Sequence, residues 1–208
     1  MIPGPTIIIA CPSCGQYAKK KTLISGNTKD IILWSDGKRI APYLPEFPSL
    51  VVCKKCDRFY WVEDAKEVAE VPRFSELNNK WKDTEYIEFP TFHQYYKALE
   101  SISDEFYIRV SIWRSFNDYF RDKKEDEITA EMEQMHNENL IALLKIFDEK
   151  DNNELLMKAE VYRNLGQFDA GRELLKRIND PNLNGVKDKI LAEINNQNIQ
   201  VIQLNQNE

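Results

Sequence analysis

Cys11-Pro-Ser-Cys14-Gly15 and Cys53-Lys-Lys-Cys56-Asp57 are the two stretches that decide the fold of the N-terminal part of this chain. They contain all four cysteines among the 208 residues. A Cys-x-x-Cys turn places both sulfurs on one side of a tight loop, and two such turns supply the tetrahedral shell of four thiolates that zinc favours. The sequence therefore predicts one Zn²⁺ ion, held by Cys11, Cys14, Cys53 and Cys56. Four thiolates leave no position for water or substrate, so the expected role of the ion is structural.

Two other chemistries use the same residue types. The first pair alone could be a thioredoxin-like redox dithiol, but that chemistry needs a βαβ context, and no helical pattern follows Cys14. An iron site similar to that of rubredoxins uses the same four thiolates. The second motif has Asp57 after its cysteine pair, where rubredoxins typically have glycine.

The surroundings of the two motifs indicate a small β module. The first 62 residues contain six of the nine prolines and four of the seven glycines, with short β-branched runs between them. Strands are predicted at residues 6–10, 30–34, 49–53 and 58–62, with a hairpin turn at Asp36-Gly37. A short helix is predicted at residues 63–70.

These residues resemble the zinc-ribbon family, in which two cysteine knuckles clamp one zinc ion. The resemblance covers about residues 6–62, and 38 residues separate Cys14 from Cys53, whereas related four-cysteine sites usually leave ~15–20. The resemblance therefore implies an enlarged ribbon. Ser25-Gly26-Asn27-Thr28 and the stretch from Trp34 to Pro45 also resemble bacterial proteins that begin with such a ribbon and continue into helices, which implies no activity.

After Pro90 the apolar residues recur at helical spacing almost to the end of the chain. Thr91 and Gln94 have the spacing of a capping box, and Asn164-Leu165-Gly166 has the pattern of a helix end. Helices are predicted at residues 91–99, from 103, at 127–147, from 152 or 153 to 164, at 168–178 and at 184–195.

Residues 155–181 resemble one tetratricopeptide repeat, a pair of helices that buries its apolar face by stacking on neighbours. The resemblance is carried by Leu155, Ala159, Tyr162, Leu165, Gly166, Phe168, Gly171, Leu175 and Ile178. It implies a helical groove that binds a partner protein or peptide, with Tyr162, Arg163 and Phe168 as candidate groove residues. An ordinary helical bundle remains the alternative.

The predicted fold class is therefore α+β, with a β module followed by an all-helical part. The expected domains are a zinc-ribbon-like module at residues 1–70, a linker at 71–90, a tetratricopeptide-like domain at 91–196 and a flexible tail at 197–208.

The net charge of −6 is the sum of two different parts. Residues 1–62 hold nine basic and four acidic residues, and residues 63–208 hold 19 and 30, so the formal charges are +5 and −11. The acidic helical part favours basic peptides or proteins as ligands. The basic module raises nucleic acid as an alternative partner, because basic residues interleaved with aromatic ones commonly grip single strands. The candidates are Lys19, Lys20, Lys21, Lys38, Arg39, Lys54 and Lys55. The opposing interpretation is that these side chains lie in solvent or balance the thiolates.

The sequence favours a non-catalytic interaction protein over an enzyme. The two histidines, His93 and His136, have no serine or cysteine at a suggestive spacing, and no nucleophile–base pair is evident. The longest early apolar run is far below the roughly 18 residues of a membrane span, and no basic segment precedes it, so a cytoplasmic protein is expected. The oligomeric state stays open.

Overall fold

The fold is α+β, as predicted: short strands occupy the N-terminal part of the described chain and helices the C-terminal part. The computed structural model describes residues 1–73 and 80–205, so the middle of the predicted linker and the last three residues of the predicted tail lie outside the described residues. The strands are β1 (Ile2–Pro3), β2 (Thr6–Ala10), β3 (Tyr17–Lys20), β4 (Leu23–Ser25), β5 (Ile32–Leu33), β6 (Arg39–Ile40), β7 (Leu50–Val52), β8 (Phe59–Trp61) and β9 (Lys66–Val71). The helices are α1 (Phe92–Ala98), α2 (Glu105–Arg121), α3 (Ala130–Leu143), α4 (Asn152–Asn164), α5 (Phe168–Arg177) and α6 (Asn184–Asn195).

The chain divides into two units with boundaries that differ from those expected from sequence. The first unit comprises residues 1–31 and 40–102, and the second comprises residues 32–39 and the chain from Ser103 onward. Helix α1 thus belongs to the first unit, and a short hairpin from the N-terminal half belongs to the second. Neither assignment follows from local sequence, because both depend on contacts with distant residues.

In the first unit, β2 is the central strand of a three-stranded antiparallel sheet in the order β3-β2-β9. Its residues Ile8 and Ile9 are completely buried, so their backbone groups need partners on both edges of the strand. The helix predicted at residues 63–70 is wrong for this reason. A short 3₁₀ turn at Val62–Asp64 is followed by β9, which supplies the second edge.

The core of the first unit surrounds the cysteines. Its buried members are Ile7, Ile9, Cys11, Val51, Cys53, Tyr60, Val62 and Ala65. Strands β7 and β8 form a separate antiparallel hairpin that pairs Val51 with Tyr60, both of which belong to this core. Part of the predicted linker also belongs here, because Lys19 of β3 exchanges backbone hydrogen bonds with Glu85 and Ile87.

In the second unit, helices α2 to α6 pack around two apolar clusters. One cluster joins α2, α3 and α4 through Trp113, Leu140, Leu143, Phe147 and Val161. The other joins α4, α5 and α6, with Leu155, Ala159, Leu174, Leu175, Ile178, Ile190 and Ile194 buried. Because α4 contributes to both clusters, its Val161 and Leu155 faces connect the two halves of the unit.

The helix ends follow the predicted signals closely. Thr91 and Gln94 form the predicted capping box, and Asp104 caps α2. The cap of α4 is Asp151, one residue before the predicted position, and its carboxylate accepts from two backbone amides. Gly166 ends α4 at φ +70°, a conformation that favours glycine because L side chains are strained there.

Residues 32–39 are held in the second unit by a buried carboxylate. Asp36 is fully buried, accepts a hydrogen bond from Asn117 Nδ2 at 2.9 Å and pairs with the guanidinium of Arg121. Lys38 reaches Asp118 at 2.6 Å. Sequence reasoning treated Asp36 only as a turn residue, because nothing local shows that its charge is buried against a helix 81 to 85 residues away.

Among the helices in the described ranges, none combines the length and the apolarity needed to cross a bilayer.

One buried histidine makes stability depend on pH. His136 of α3 stacks on Phe116 with ring centroids 3.8 Å apart, and its Nδ1 has no hydrogen-bond partner among the described residues. Burial lowers the pKa of His136 to about 3. In the unfolded chain the pKa of this histidine is about 6.5, well above its pKa in the folded state. The unfolded state therefore binds the proton first, and the free energy of unfolding falls as pH drops from about 6.5 towards 3.

We predict that His136→Phe, which keeps a stacked ring, removes this dependence. Between pH 7.5 and 5.5 the free energy of unfolding of the wild type should fall relative to the variant by about 1.4 kcal/mol. Urea unfolding of both proteins at the two pH values measures the difference. If the difference in free energy of unfolding between the two proteins is the same at both pH values, His136 does not have the low pKa that its burial implies.

Candidate metal centre

The two cysteine motifs fold into loops with the same hydrogen-bond pattern. Cys11 N–H donates to the carbonyl of Gln16 at 2.8 Å, and its carbonyl accepts from Gly15 N–H at 2.9 Å. In the second loop Cys53 donates to Arg58 at 3.0 Å and accepts from Asp57 at 2.8 Å. Because the two loops have the same backbone conformation, each presents its two sulfurs in the same way, and the four sulfurs form one group.

Both loops reverse direction through a left-handed residue after the second cysteine. Gly15 has φ +71° and Asp57 has φ +54°. A Cβ atom on Gly15 would meet nothing within 4 Å among the described residues, so the backbone conformation alone favours glycine there. Asp57 adopts the same conformation without glycine, which aspartate tolerates better than most residues. The missing glycine therefore leaves the second loop intact.

The four sulfurs lie close enough to share one ion. Cys14 Sγ is 3.5 Å from Cys53 Sγ, Cys11 Sγ is 3.9 Å from Cys56 Sγ, and all four lie within 4.8 Å of one another. A tetrahedral site with metal–sulfur bonds of about 2.3 Å has sulfur–sulfur separations of about 3.8 Å. The four cysteines, all within the described ranges, are free thiols. This donor set and geometry fit one tetrahedral metal ion.

The protein environment both opposes and favours the thiolates. Burial raises the pKa of the Cys11 thiol. Burial also opposes ionisation of Cys53, but the backbone amides of Lys55 and Cys56 outweigh it and lower the pKa of Cys53 to about 7. Tyr60 packs beside the cysteines, and its burial, with their negative charge as a second cause, raises its pKa to about 12. A cation bound by the four sulfurs would compensate this concentration of negative charge.

Two of the basic candidates for nucleic-acid binding form ion pairs with acidic neighbours in the first unit. Lys20 lies 3.3 Å from Glu67. Lys54 lies 2.7 Å from Glu85 and 3.3 Å from Glu88. Exposed pairs of this kind contribute little to stability, but they reduce the positive charge that a phosphate backbone would meet.

The other candidates of the first unit differ in their surroundings. Lys19 is buried, and its Nζ donates to the carbonyl of Lys82 at 3.2 Å. Lys21 lies over the ring of Tyr86, 5.1 Å from its centroid, and Lys55 is exposed. Buried Lys19 is therefore not available to a ligand in this structure.

The remaining two basic candidates, Lys38 and Arg39, belong to the second unit, where Lys38 pairs with Asp118 and Arg39 is exposed. Nucleic-acid binding stays a prediction without further support.

The three predicted groove residues differ in how deeply their side chains are buried. Tyr162 and Phe168 are half-buried and pack on the apolar cluster of α4, α5 and α6. Arg163 is completely buried and pairs with Glu160. Its guanidinium is used inside the unit, where it donates to Glu160 and to the main-chain carbonyls of Asn198 and Gln200.

Comparison of the chain with protein-family models, with curated proteins and with solved structures finds no match.

We predict that Cys14→Ser lowers the metal content well below one ion per chain and destabilises the first unit. A structural site of this type contributes ~10 kcal/mol of apparent binding energy, and loss of one thiolate forfeits a large share of it. Elemental analysis and urea unfolding of protein purified without added metal provide the measurement.

Ser13→Ala is the matched control, because Ser13 is exposed in the same loop and is not a ligand. Retention of both metal and stability by the Cys14→Ser variant would exclude a four-cysteine site.

Proposed function

We propose that the four cysteines hold one Zn²⁺ ion with a structural role and that the chain is a non-catalytic interaction protein. The observation that carries the metal assignment is the closed shell of four thiols with near-tetrahedral spacing. Zinc suits this shell because it has no geometric preference of its own and no redox chemistry. All four ligands come from the protein, so the ion holds the fold and does not activate water.

The sulfur contacts favour metal binding over a redox dithiol. A thioredoxin-like pair forms its disulfide within one motif, between cysteines three positions apart. Here all four sulfurs lie within 4.8 Å of one another, and contacts of 3.5 Å and 3.9 Å join Cys14 to Cys53 and Cys11 to Cys56 across the two motifs. One group of four sulfurs, drawn equally from both motifs, is the arrangement in which one ion ties two loops together.

For the helical unit we propose binding of a partner protein or peptide, in keeping with the tetratricopeptide resemblance. Helices α4 and α5 approach closely where Ala159 faces Gly171, since a Cβ atom on Gly171 would lie 3.1 Å from the carbonyl oxygen of Ala159. A small residue at this place supports the paired-helix interpretation. The candidate Phe168 lines a cleft of about 420 Å³ between the start of α5 and the end of α6.

The net charge of the second unit favours a basic ligand at this cleft. Asp169 lines the cleft with a side chain that is 98% exposed, and the second unit holds 16 basic and 22 acidic residues, a formal charge of −6. Arg172 is the basic residue among those lining the cleft, and it lies 2.6 Å from Asp169. A basic peptide would meet the exposed carboxylate of Asp169 and the aromatic side chain of Phe168 there.

A selection from a displayed random-peptide library against the full chain tests this proposal. We expect enrichment of peptides with net positive charge, and at least a tenfold loss of affinity for the selected peptides in Asp169→Lys. The cost of the substitution to α5 is about 0.5–1 kcal/mol at a helix N-terminus, too little to unfold the protein.

Glu173→Lys, a charge reversal on the same helix outside the cleft lining, is the control and should change affinity little. Failure to enrich any peptide, or equal affinity for both variants, contradicts binding at this cleft.

A further inference from the structure

The chain after α6 turns back and runs along the second unit as an extended segment. Gln197 has φ +56°, and the amides of Gln197 and Asn198 donate to the carbonyls of Ile194 and Glu193. This is the helix-ending turn in which glycine is usual, so Gln197 holds strain of about 1 kcal/mol or more. Residues 198–205 follow this strained turn.

The first half of the segment is bound by its backbone to the end of α4. Arg163 donates from Nη1 to the carbonyl of Asn198 and from Nη2 to the carbonyl of Gln200, the latter at 2.7 Å. Asn164 Nδ2 donates to the carbonyl of Ile199 at 2.9 Å. Two adjacent side chains thus donate hydrogen bonds to three successive main-chain carbonyls.

Arg163 is held in place for this task by a second buried charge. Glu160, one turn earlier on α4, is also completely buried and accepts from Nε of Arg163 at 2.7 Å. Burying an ion pair costs desolvation energy that hydrogen bonds must compensate. Here Nη1 and Nη2 of Arg163 also donate to the main-chain carbonyls of the segment. Because these acceptors are backbone groups, the site can bind an extended chain whatever its side chains at those positions.

The second half of the segment pairs with the hairpin 32–39. Leu204 N–H donates to the carbonyl of Leu33 at 2.7 Å, and Ser35 N–H donates to the carbonyl of Ile202 at 2.9 Å. Ile202 N–H in turn donates to Ser35 Oγ at 3.1 Å. We name residues 33–35 with Arg163 and Asn164 the strand-accepting groove.

The side chains of the segment contribute much less than its backbone. Among residues 198–205, Val201 alone is buried, whereas Ile199 is 53% exposed. Beside Val201, the side chain of Asn205 contacts the groove, where its Oδ1 accepts from Leu33 N–H at 2.6 Å. A site that holds mainly main-chain groups, with one aliphatic and one amide side chain, accepts other extended sequences with the same features, as in strand-addition recognition of peptides.

We propose that the strand-accepting groove is a peptide-binding site, occupied in cis by residues 198–205 and opened by an extended segment of a partner protein that carries a β-branched aliphatic residue in place of Val201. This inference rests on the proposed partner-binding function of the helical unit and names a second surface for it. Release of the cis segment relaxes the turn at Gln197, which partly offsets the hydrogen bonds lost on opening.

The test uses the full chain with the segment expelled by Val201→Asp and Ile202→Pro. The first substitution places a charge in the apolar site, and the second removes the N–H that donates to Ser35. The probe is a fluorescein-labelled peptide with the sequence of residues 198–205, followed by fluorescence anisotropy. The variant should bind the probe at least tenfold more tightly than the wild type, whose groove is filled. Ile199→Asp, at an exposed position of the same segment, should behave as the wild type.

Equal affinity of the variant and the wild type, or no binding by a folded variant, overturns the proposal. A second measurement needs no substitution: the unlabelled peptide is added to ¹⁵N-labelled wild type above the millimolar effective concentration of a tethered segment. The amide signals of Ile202 and Leu204 should then move to the positions of an unstructured chain, and unchanged signals overturn the proposal. Neither result depends on Asp169, so failure here is distinguishable from failure of binding at the α5–α6 cleft.

Discussion

The convergence of four thiolates is the constraint on which the first unit depends. The strands of this unit are two to six residues long, and such short strands are marginal without further support. Cys11 and Cys53 are themselves members of its apolar core, next to Tyr60. An ion held by both loops would fix the sheet containing β2 and the hairpin of β7 and β8 at once, so that folding and metal binding would be a single process.

The same constraint explains why the long insertion between the motifs is tolerated. Residues 15–52 must begin and end at the two loops, whatever path they take between them. Part of that path, residues 32–39, supplies the second unit with the buried carboxylate of Asp36, which pairs with Arg121. Removing one member of such a pair leaves an uncompensated buried charge and is strongly destabilising. The long insertion between the two motifs therefore carries an element that completes the helical unit.

Local signals in the sequence predicted those parts of the structure that local interactions determine. The cysteine motifs, strand β2 and helix α6 lie at the predicted residues, because ligand spacing, β-branched runs and helical periodicity are local properties. The helix predicted at 63–70 was wrong because pairing with β2 outweighed helix propensity in β9. The sequence did not predict the burial of Arg163, because the carbonyls that accept its hydrogen bonds lie 35 and 37 residues away. They belong to a stretch rich in Asn and Gln that has no amphipathic pattern. The available hint was that Glu160 lies three residues before Arg163, the spacing of an ion pair on one helix face. Exposed ion pairs on helices have the same spacing, so this hint does not indicate burial.

The central claim is that a closed shell of four cysteine sulfurs around zinc organises the N-terminal unit. X-ray absorption at the zinc edge, on protein purified without added metal, tests it most directly. The account predicts about one zinc ion per chain with four sulfur neighbours at about 2.3 Å and no nitrogen or oxygen neighbour. A mixed shell that includes nitrogen or oxygen, or iron in place of zinc, would contradict it.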